Sequence, residues 1–231
     1  AQIDNKNQYI LYTDKPLIEG LLNLTPQEGE DTKTWDIEFD EQGYQILSSP
    51  YNNFKAKVLS WPFSFFWTLG RFSLEMLFKS PDVLFVPAHA LPLICPKKTV
   101  NTIHDIAFKK DKQVYQKEIF PKKSKKFRKY INSFVKLCSL GKLHCSSLEY
   151  LDFSTKFALK KAKKIIAVSK ETKKQVLDTY KHAREEKIEV IHNGYNSHIY
   201  HPISNQEEID KVLNKYGFKK PFFLYVGRIE K

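Results

Sequence analysis

Ala162-Lys-Lys-Ile-Ile-Ala-Val-Ser-Lys-Glu-Thr-Lys173 and, further on, Ile188-Glu-Val-Ile-His-Asn-Gly194 decide the fold. Ile165 to Val168 is a short, uninterrupted apolar run, the pattern of a strand buried on both faces. Ser169 stands directly before Lys170 to Tyr180, a stretch that reads as a helix, and serine is a good N-cap. Ile188 to Ile191 is a second apolar run, closed by His192-Asn-Gly. Strand, helix and strand in that order predict two parallel strands joined by a crossover helix.

The same rhythm extends outward. Tyr9 to Tyr12, Val83 to Val86 and Thr99 to Ile103 read as strands, and Gln45 to Leu47 as a weaker one. Phe63 to Lys79, Ser124 to Lys142, Ser154 to Lys164 and Asn205 to Gly217 read as helices. The expected class is therefore α/β, a Rossmann-like parallel sheet with helices on both faces. Near the end, Pro221-Phe-Phe-Leu-Tyr-Val-Gly-Arg-Ile-Glu-Lys231 reads as one more buried strand closed by a glycine turn. It is expected to be the first strand of a second Rossmann-like domain. The expected division is 1–202 for the first domain and 203–231 for a linker helix and that strand. The polar start, which lacks an initiator Met, and the abrupt end lead to the expectation of a chain truncated at both ends and inactive alone.

Composition narrows the class. A hydrophobic share of 42% is enough for a sizeable core and argues against disorder. The net charge of +12 points to an anionic partner: nucleic acid, an anionic membrane surface or a phosphorylated substrate. Cys95, Cys138 and Cys145 are odd in number and form no CxxC or Cys/His spacing, so no disulfide framework and no metal site is expected, and a reducing cytosol fits. The apolar stretch Trp61 to Phe78 contains Pro62, Arg71 and Glu75, too interrupted for a membrane span.

In a parallel sheet, ligands sit beyond the carboxyl ends of the strands, so the residues just after each apolar run are the candidates. His104 follows Thr99 to Ile103. It is either a histidine satisfied by backbone at a strand–loop junction, or a group that bonds a sugar hydroxyl or takes a proton near neutral pH. Asp105 adjoins it. His89 lies in the stiff loop Pro87-Ala-His-Ala-Leu-Pro92, where loop packing competes with contact to an acceptor. Ser169 is foremost a cap, although a helix N-terminus also offers amides to a ligand. Asn193-Gly194 marks a turn needing positive φ. Arg228, just past Gly227, suits a phosphate through its planar fork. Glu30 and Glu38 stand eight apart, as in donor-binding glutamate pairs, but in an acidic loop ahead of the sheet, and are read as coincidence. No P-loop, GxGxxG, nucleophile elbow or kinase loop occurs.

A second feature is Lys122-Lys-Ser-Lys-Lys-Phe-Arg-Lys-Tyr-Ile-Asn-Ser-Phe-Val-Lys-Leu-Cys138. Phe127, Tyr130, Ile131, Phe134, Val135 and Cys138 fall on one helical stripe. Lys122, Lys123, Lys125, Lys126, Arg128 and Lys129 surround it. Such a helix either faces a core with a solvated basic back, or lies on anionic lipid headgroups, where each lysine or arginine contributes about 1 kcal/mol. No stacking module or helix-turn-helix pattern accompanies the charge, so no nucleic acid is expected.

Taken together, the strand ends resemble a known pattern. Asp82-Val-Leu-Phe-Val-Pro-Ala-His-Ala-Leu-Pro92, Val100-Asn-Thr-Ile-His-Asp-Ile-Ala-Phe108, Ala162 to Lys173 and Ile188 to Gly194 resemble the N-terminal half of GT-B glycosyltransferases of family four. Phe223-Leu-Tyr-Val-Gly-Arg228 is similar to the first strand of their donor-binding domain. The resemblance implies a retaining, metal-independent hexosyltransferase that uses a nucleotide-sugar such as GDP-mannose or UDP-glucose, with no further cofactor. It also implies a glycan or lipid-linked acceptor held mainly by the N-terminal domain, as in cell-envelope polysaccharide synthesis. His104 matches the histidine near the donor sugar and is the catalytic candidate. Arg228 matches the arginine that neutralises the leaving diphosphate, which without a metal must be met by cations and helix amides. Gly227, Asn193, Gly194 and Ser169 are the other donor-side candidates, and His89 and Asp105 the acceptor-side ones. The family's opening strand, its glycine-rich turn and its paired glutamates have no counterpart here, and Lys109 to Phe153 is longer than the usual connection. The expected location is cytoplasmic, peripheral on the inner face of the membrane. A different class is also open: a non-catalytic basic module that binds anionic membrane or polymer through 109–142.

Overall fold

The computed structural model describes residues 4, 6–18, 37–47, 53–62, 66–110, 112, 147–197 and 200–227. The basic helix expected over Ser124 to Lys142, with Lys122, Lys123, Lys125, Lys126, Arg128 and Lys129, lies outside them, as do Glu30 and Arg228. Contacts divide the chain into a unit of residues 1–192 and a unit of residues 193–231.

The first unit is α/β with parallel pairing throughout its named strands. Strands β1 (Tyr9–Thr13) and β2 (Phe54–Val58) form a parallel pair with Leu11 opposite Ala56. Strands β3 (Leu84–Val86), β4 (Thr99–Ile103), β5 (Lys164–Ala167) and β6 (Ile188–Val190) form a four-stranded sheet in chain order. The register places Phe85 opposite Val100, Asn101 opposite Ile165 and Ile166 opposite Glu189. The helices are α1 (Arg71–Phe78), α2 (Ser147–Lys161) and α3 (Lys170–Thr179). Helix α2 packs on β4, and α3 packs on β5 and β6. This is the Rossmann-like arrangement that the apolar runs predict, except that the described strands pair as two sheets rather than one.

Three local expectations are corrected. Gln45 to Leu47 is not a strand: Gln45 makes isolated antiparallel bridges to Phe39 and Ala56. Its role is instead a clasp, because its buried amide accepts from Leu17 N (2.9 Å) and donates to Leu17 O (2.8 Å). The strand that pairs with β1 is Phe54-Lys-Ala-Lys-Val58, whose strict alternation is a legible strand signal that its lysines obscured. Helix α1 begins at Arg71 rather than Phe63, because Phe66 adopts φ 59°, which a helix cannot contain. Gly70 precedes the helix where a Cβ would stand 3.0 Å from Phe66 O and 3.1 Å from the Trp61 ring.

One buried cluster holds the unit together. Leu84, Val86, Ile103, Ile165, Ala167 and Ile188 come from the sheet, Leu59, Phe72 and Met76 from the β2–α1 region, and Ala158, Leu159 and Val176 from α2 and α3. Polar ties fix the periphery. Glu75, almost fully buried on α1, accepts from Lys57 (2.5 Å) and from Arg71 (3.1 Å). Burial pushes the Glu75 carboxyl up, but these two cations outweigh it and hold it below the usual range.

In the second unit, helix α4 (Gln206–Tyr216) matches the expected linker helix. Asn205 caps it by accepting from Glu207 N (3.0 Å), and Gly217 closes it at φ 69° while Phe218 N bonds Leu213 O (2.9 Å). Phe223 to Val226 is not a strand among the described residues. All four side chains are exposed, and no backbone among the described residues supplies the ladder that defines a strand.

A carboxyl whose folded pKa is depressed adds stability that is present above its unfolded pKa and lost as pH falls. Unfolding free energy measured by denaturant titration is therefore expected to fall as pH drops below 4.5, and to fall less in Glu75→Gln. At neutral pH that variant should lose about 1–3 kcal/mol, the scale of a charge-assisted bond removed from a buried site. Identical pH profiles for the two proteins would show that the Glu75 cluster is not the source.

Candidate active site

Because the four strands run parallel, their carboxyl ends share one edge. The loops that leave that edge are tied to one another in a row. At the β3–β4 end, Asn101 is fully buried and its side-chain amide donates to Ala88 O (2.5 Å) and Val86 O (3.3 Å). That fixes the turn carrying His89. Across the gap, His104 Nε2 lies 2.9 Å from Pro87 O, and His89 Nε2 lies 2.8 Å from Asp105 O. A carbonyl oxygen only accepts, so each Nε2 carries the hydrogen and each Nδ1 is the lone-pair nitrogen of the neutral ring. The two rings sit 6.4 Å apart, centroid to centroid.

The row continues to α3. Ser169 takes the expected cap position, accepting from Thr172 N at 3.0 Å. Thr172, itself buried, donates from Oγ1 to His104 O at 3.1 Å. With the Thr172 hydrogen used there, the 2.9 Å contact between Ser169 Oγ and Thr172 Oγ1 must carry the serine hydrogen. The hydroxyls thus form a directed chain from Ser169 through Thr172 to the peptide of His104. At the last strand, Ile191 N donates to Ala167 O (3.0 Å) and His192 Nδ1 lies 3.1 Å from Val168 O.

The structure therefore brings together His89, His104, Asp105 and Ser169. His104 and Asp105 are exposed, and His89 and Ser169 half-buried. The two alternatives for His104 hold at once: Nε2 is satisfied by backbone, and the ring remains accessible. Asp105 spends one carboxylate oxygen on Ala107 N (2.9 Å), which starts the turn at Ala107–Lys109. Asn193 and Gly194, the first residues of the second unit, are exposed and lack the positive φ expected of them. In the second unit, a Cβ at Gly227 would meet the Tyr225 hydroxyl at 2.5 Å, but that is the far end of an exposed side chain that can turn away, so the contact does not require glycine. Asn101 and Thr172, which position these loops, were missed from sequence. A polar residue inside a β-run and a threonine three places after a cap were their signals. Among the described residues, no three His, Cys, Asp or Glu side chains gather as metal ligands would, and no helix is long and apolar enough to cross a membrane.

With this geometry in place, comparison with known families is decisive. A family model described as Glycosyltransferase Family 4 matches residues 32–198, more than half of the chain. The chain belongs to glycosyltransferase family 4. No curated protein sequence matches it. The family 4 match includes every tied strand end, from His89 to His192, and stops before Gly227 and Arg228. The resemblance read from the strand-end motifs thus holds at the level of family and of Rossmann-like fold.

Thr172→Val removes the hydroxyl while keeping the shape, and strands both the His104 carbonyl and the Ser169 hydrogen. The expected loss is about 1–3 kcal/mol of unfolding free energy, with Thr172→Ser recovering most of it. Urea denaturation of the three proteins checks this, and a valine variant as stable as wild type would dissolve the relay.

Proposed function

We propose that this family 4 chain takes part in transferring a hexose, such as mannose or glucose, from a nucleotide-sugar to a glycan or lipid-linked acceptor. Transfer would retain anomeric configuration and need no metal ion. The observation that supports this most is His104: it lies at the carboxyl end of β4 within the family match, exposed, and held by Pro87 O so that Nδ1 is free to accept. In that position the ring would accept from a hydroxyl of the transferred sugar, or take the proton that develops as the acceptor oxygen attacks. His89 and Asp105 would form the acceptor side of the same edge. Ser169, Asn193 and Gly194 would contact the donor from the other loops. Gly227 and Arg228 would meet the leaving diphosphate, whose charge needs cations and backbone amides where no metal assists.

Lys122, Lys123, Lys125, Lys126, Arg128 and Lys129 would hold the enzyme on the inner face of an anionic membrane, near a lipid-linked acceptor. That placement would make it a cytoplasmic, peripheral enzyme of cell-envelope polysaccharide synthesis.

In an assay of nucleoside diphosphate release from nucleotide-sugars, His104→Ala should lower turnover at least about tenfold, the scale of a lost positioned acceptor. Wild-type turnover in the variant would remove His104 from the reaction. Co-sedimentation with vesicles containing phosphatidylglycerol should be strong at low salt and weaken as salt rises. Absence of binding at low salt would remove the membrane placement and leave the transfer reaction untouched.

A further inference from the structure

The amino-terminal edge of the same sheet carries a feature that the transfer reaction does not use. Helix α2 ends at Lys161, just ahead of β5, and the segment after α3 leads through Glu185–Lys187 into β6. Between them lies a cavity of about 460 Å³ lined by Lys156, Leu159, Lys160, His182, Arg184 and Lys187. We propose that this cavity is a binding site for a phosphate-bearing ligand, on the edge opposite His104.

The charge balance favours an anion. Four of the lining side chains are permanent cations. The carboxylates paired with them are Asp152, 2.8 Å from Lys156, and Glu186, 3.5 Å from Arg184. That leaves two positive charges in excess. Asp152 is moreover shared, since Lys109 sits 2.5 Å from its other oxygen and Tyr180 donates to it at 2.9 Å. Lys160 has no carboxylate partner among the described residues. Lys187 is occupied only by neutral oxygens, donating to Ala162 O (3.0 Å) and Lys160 O (3.5 Å) at the end of α2. Burial, and then the neighbouring Arg184, depress the Lys187 ammonium against a smaller opposing pull from Glu186, and an anion in the cavity would relieve the remainder.

The shape and chemistry agree with that class. Leu159 is buried and the lysine stems are apolar, so the open cavity has largely hydrocarbon walls, with Lys156, Lys160 and Arg184 exposed at its rim. Arg184 supplies a planar fork, and Lys156 and Lys160 supply point charges, the usual combination for phosphate oxygens. The volume exceeds that of a bare phosphate and falls within the range of small-ligand pockets, which fits a phosphomonoester or diphosphate carrying a further group. The phosphate can belong to a soluble metabolite or to a lipid headgroup.

Isothermal titration with inorganic pyrophosphate, at fixed ionic strength, tests the site on the whole chain. The wild type should bind saturably, and Lys160→Gln combined with Arg184→Gln, both exposed positions, should weaken binding at least about tenfold. Lys170→Gln, in the first turn of α3 at the opposite edge, should change it less than about twofold, the effect of net charge alone. Pyrophosphate should also protect Lys160, and not Lys170, from acetylation in the wild type, a measurement that needs no variant. Vesicles containing phosphatidylglycerol, titrated in parallel, separate the sources: loss of vesicle binding in the double variant adds a headgroup as ligand. No saturable pyrophosphate binding, an equal loss in Lys170→Gln, or vesicle binding without any pyrophosphate binding would each overturn the proposal.

Discussion

Parallel pairing of β3, β4, β5 and β6 is the constraint on which the site depends. A parallel strand cannot follow its neighbour through a tight turn; the chain must travel back along the sheet before it starts again. Each return places a loop at the carboxyl edge, and three returns in chain order place three loops side by side. The buried cluster from the sheet and its helices makes that pairing favourable, because every short strand contributes at least one buried aliphatic or alanine side chain. The hydrogen bonds between loops then convert neighbourhood into fixed geometry.

What was legible in the sequence was whatever depends on one element alone. Ile165 to Val168, Ser169 as a cap, and Asn205 with Gly217 around a helix are decided by local preferences, and the structure has them where the residues predict. Long-range partners decided the rest. Phe54 to Val58, despite two lysines, is a strand because β1 lies beside it, and Phe223 to Val226, wholly apolar or aromatic, has no strand partner among the described residues. Gln45 seemed part of an apolar run, but its amide was the informative atom, since Leu17 needed both a donor and an acceptor.

The candidate site divides the same way. Position after a strand was enough to nominate His89, His104, Asp105 and Ser169. Position could not separate residues that face a ligand from residues that hold the loops, because Asn101 and Thr172 act across sheet and helix on partners far away in sequence. The family match supplies the chemistry in outline, and the hydrogen bonds supply the orientation of the groups that would carry it.

The directed chain of hydroxyls has a further consequence, which concerns polarity. The Ser169 hydrogen is committed to Thr172, so toward solvent Ser169 offers only a lone pair. The neutral-ring tautomers of His104 and His89 that turn Nε2–H to carbonyls offer a lone pair at Nδ1, and that of His192 offers one at Nε2. Those atoms accept from groups that bring hydrogens, such as hydroxyls.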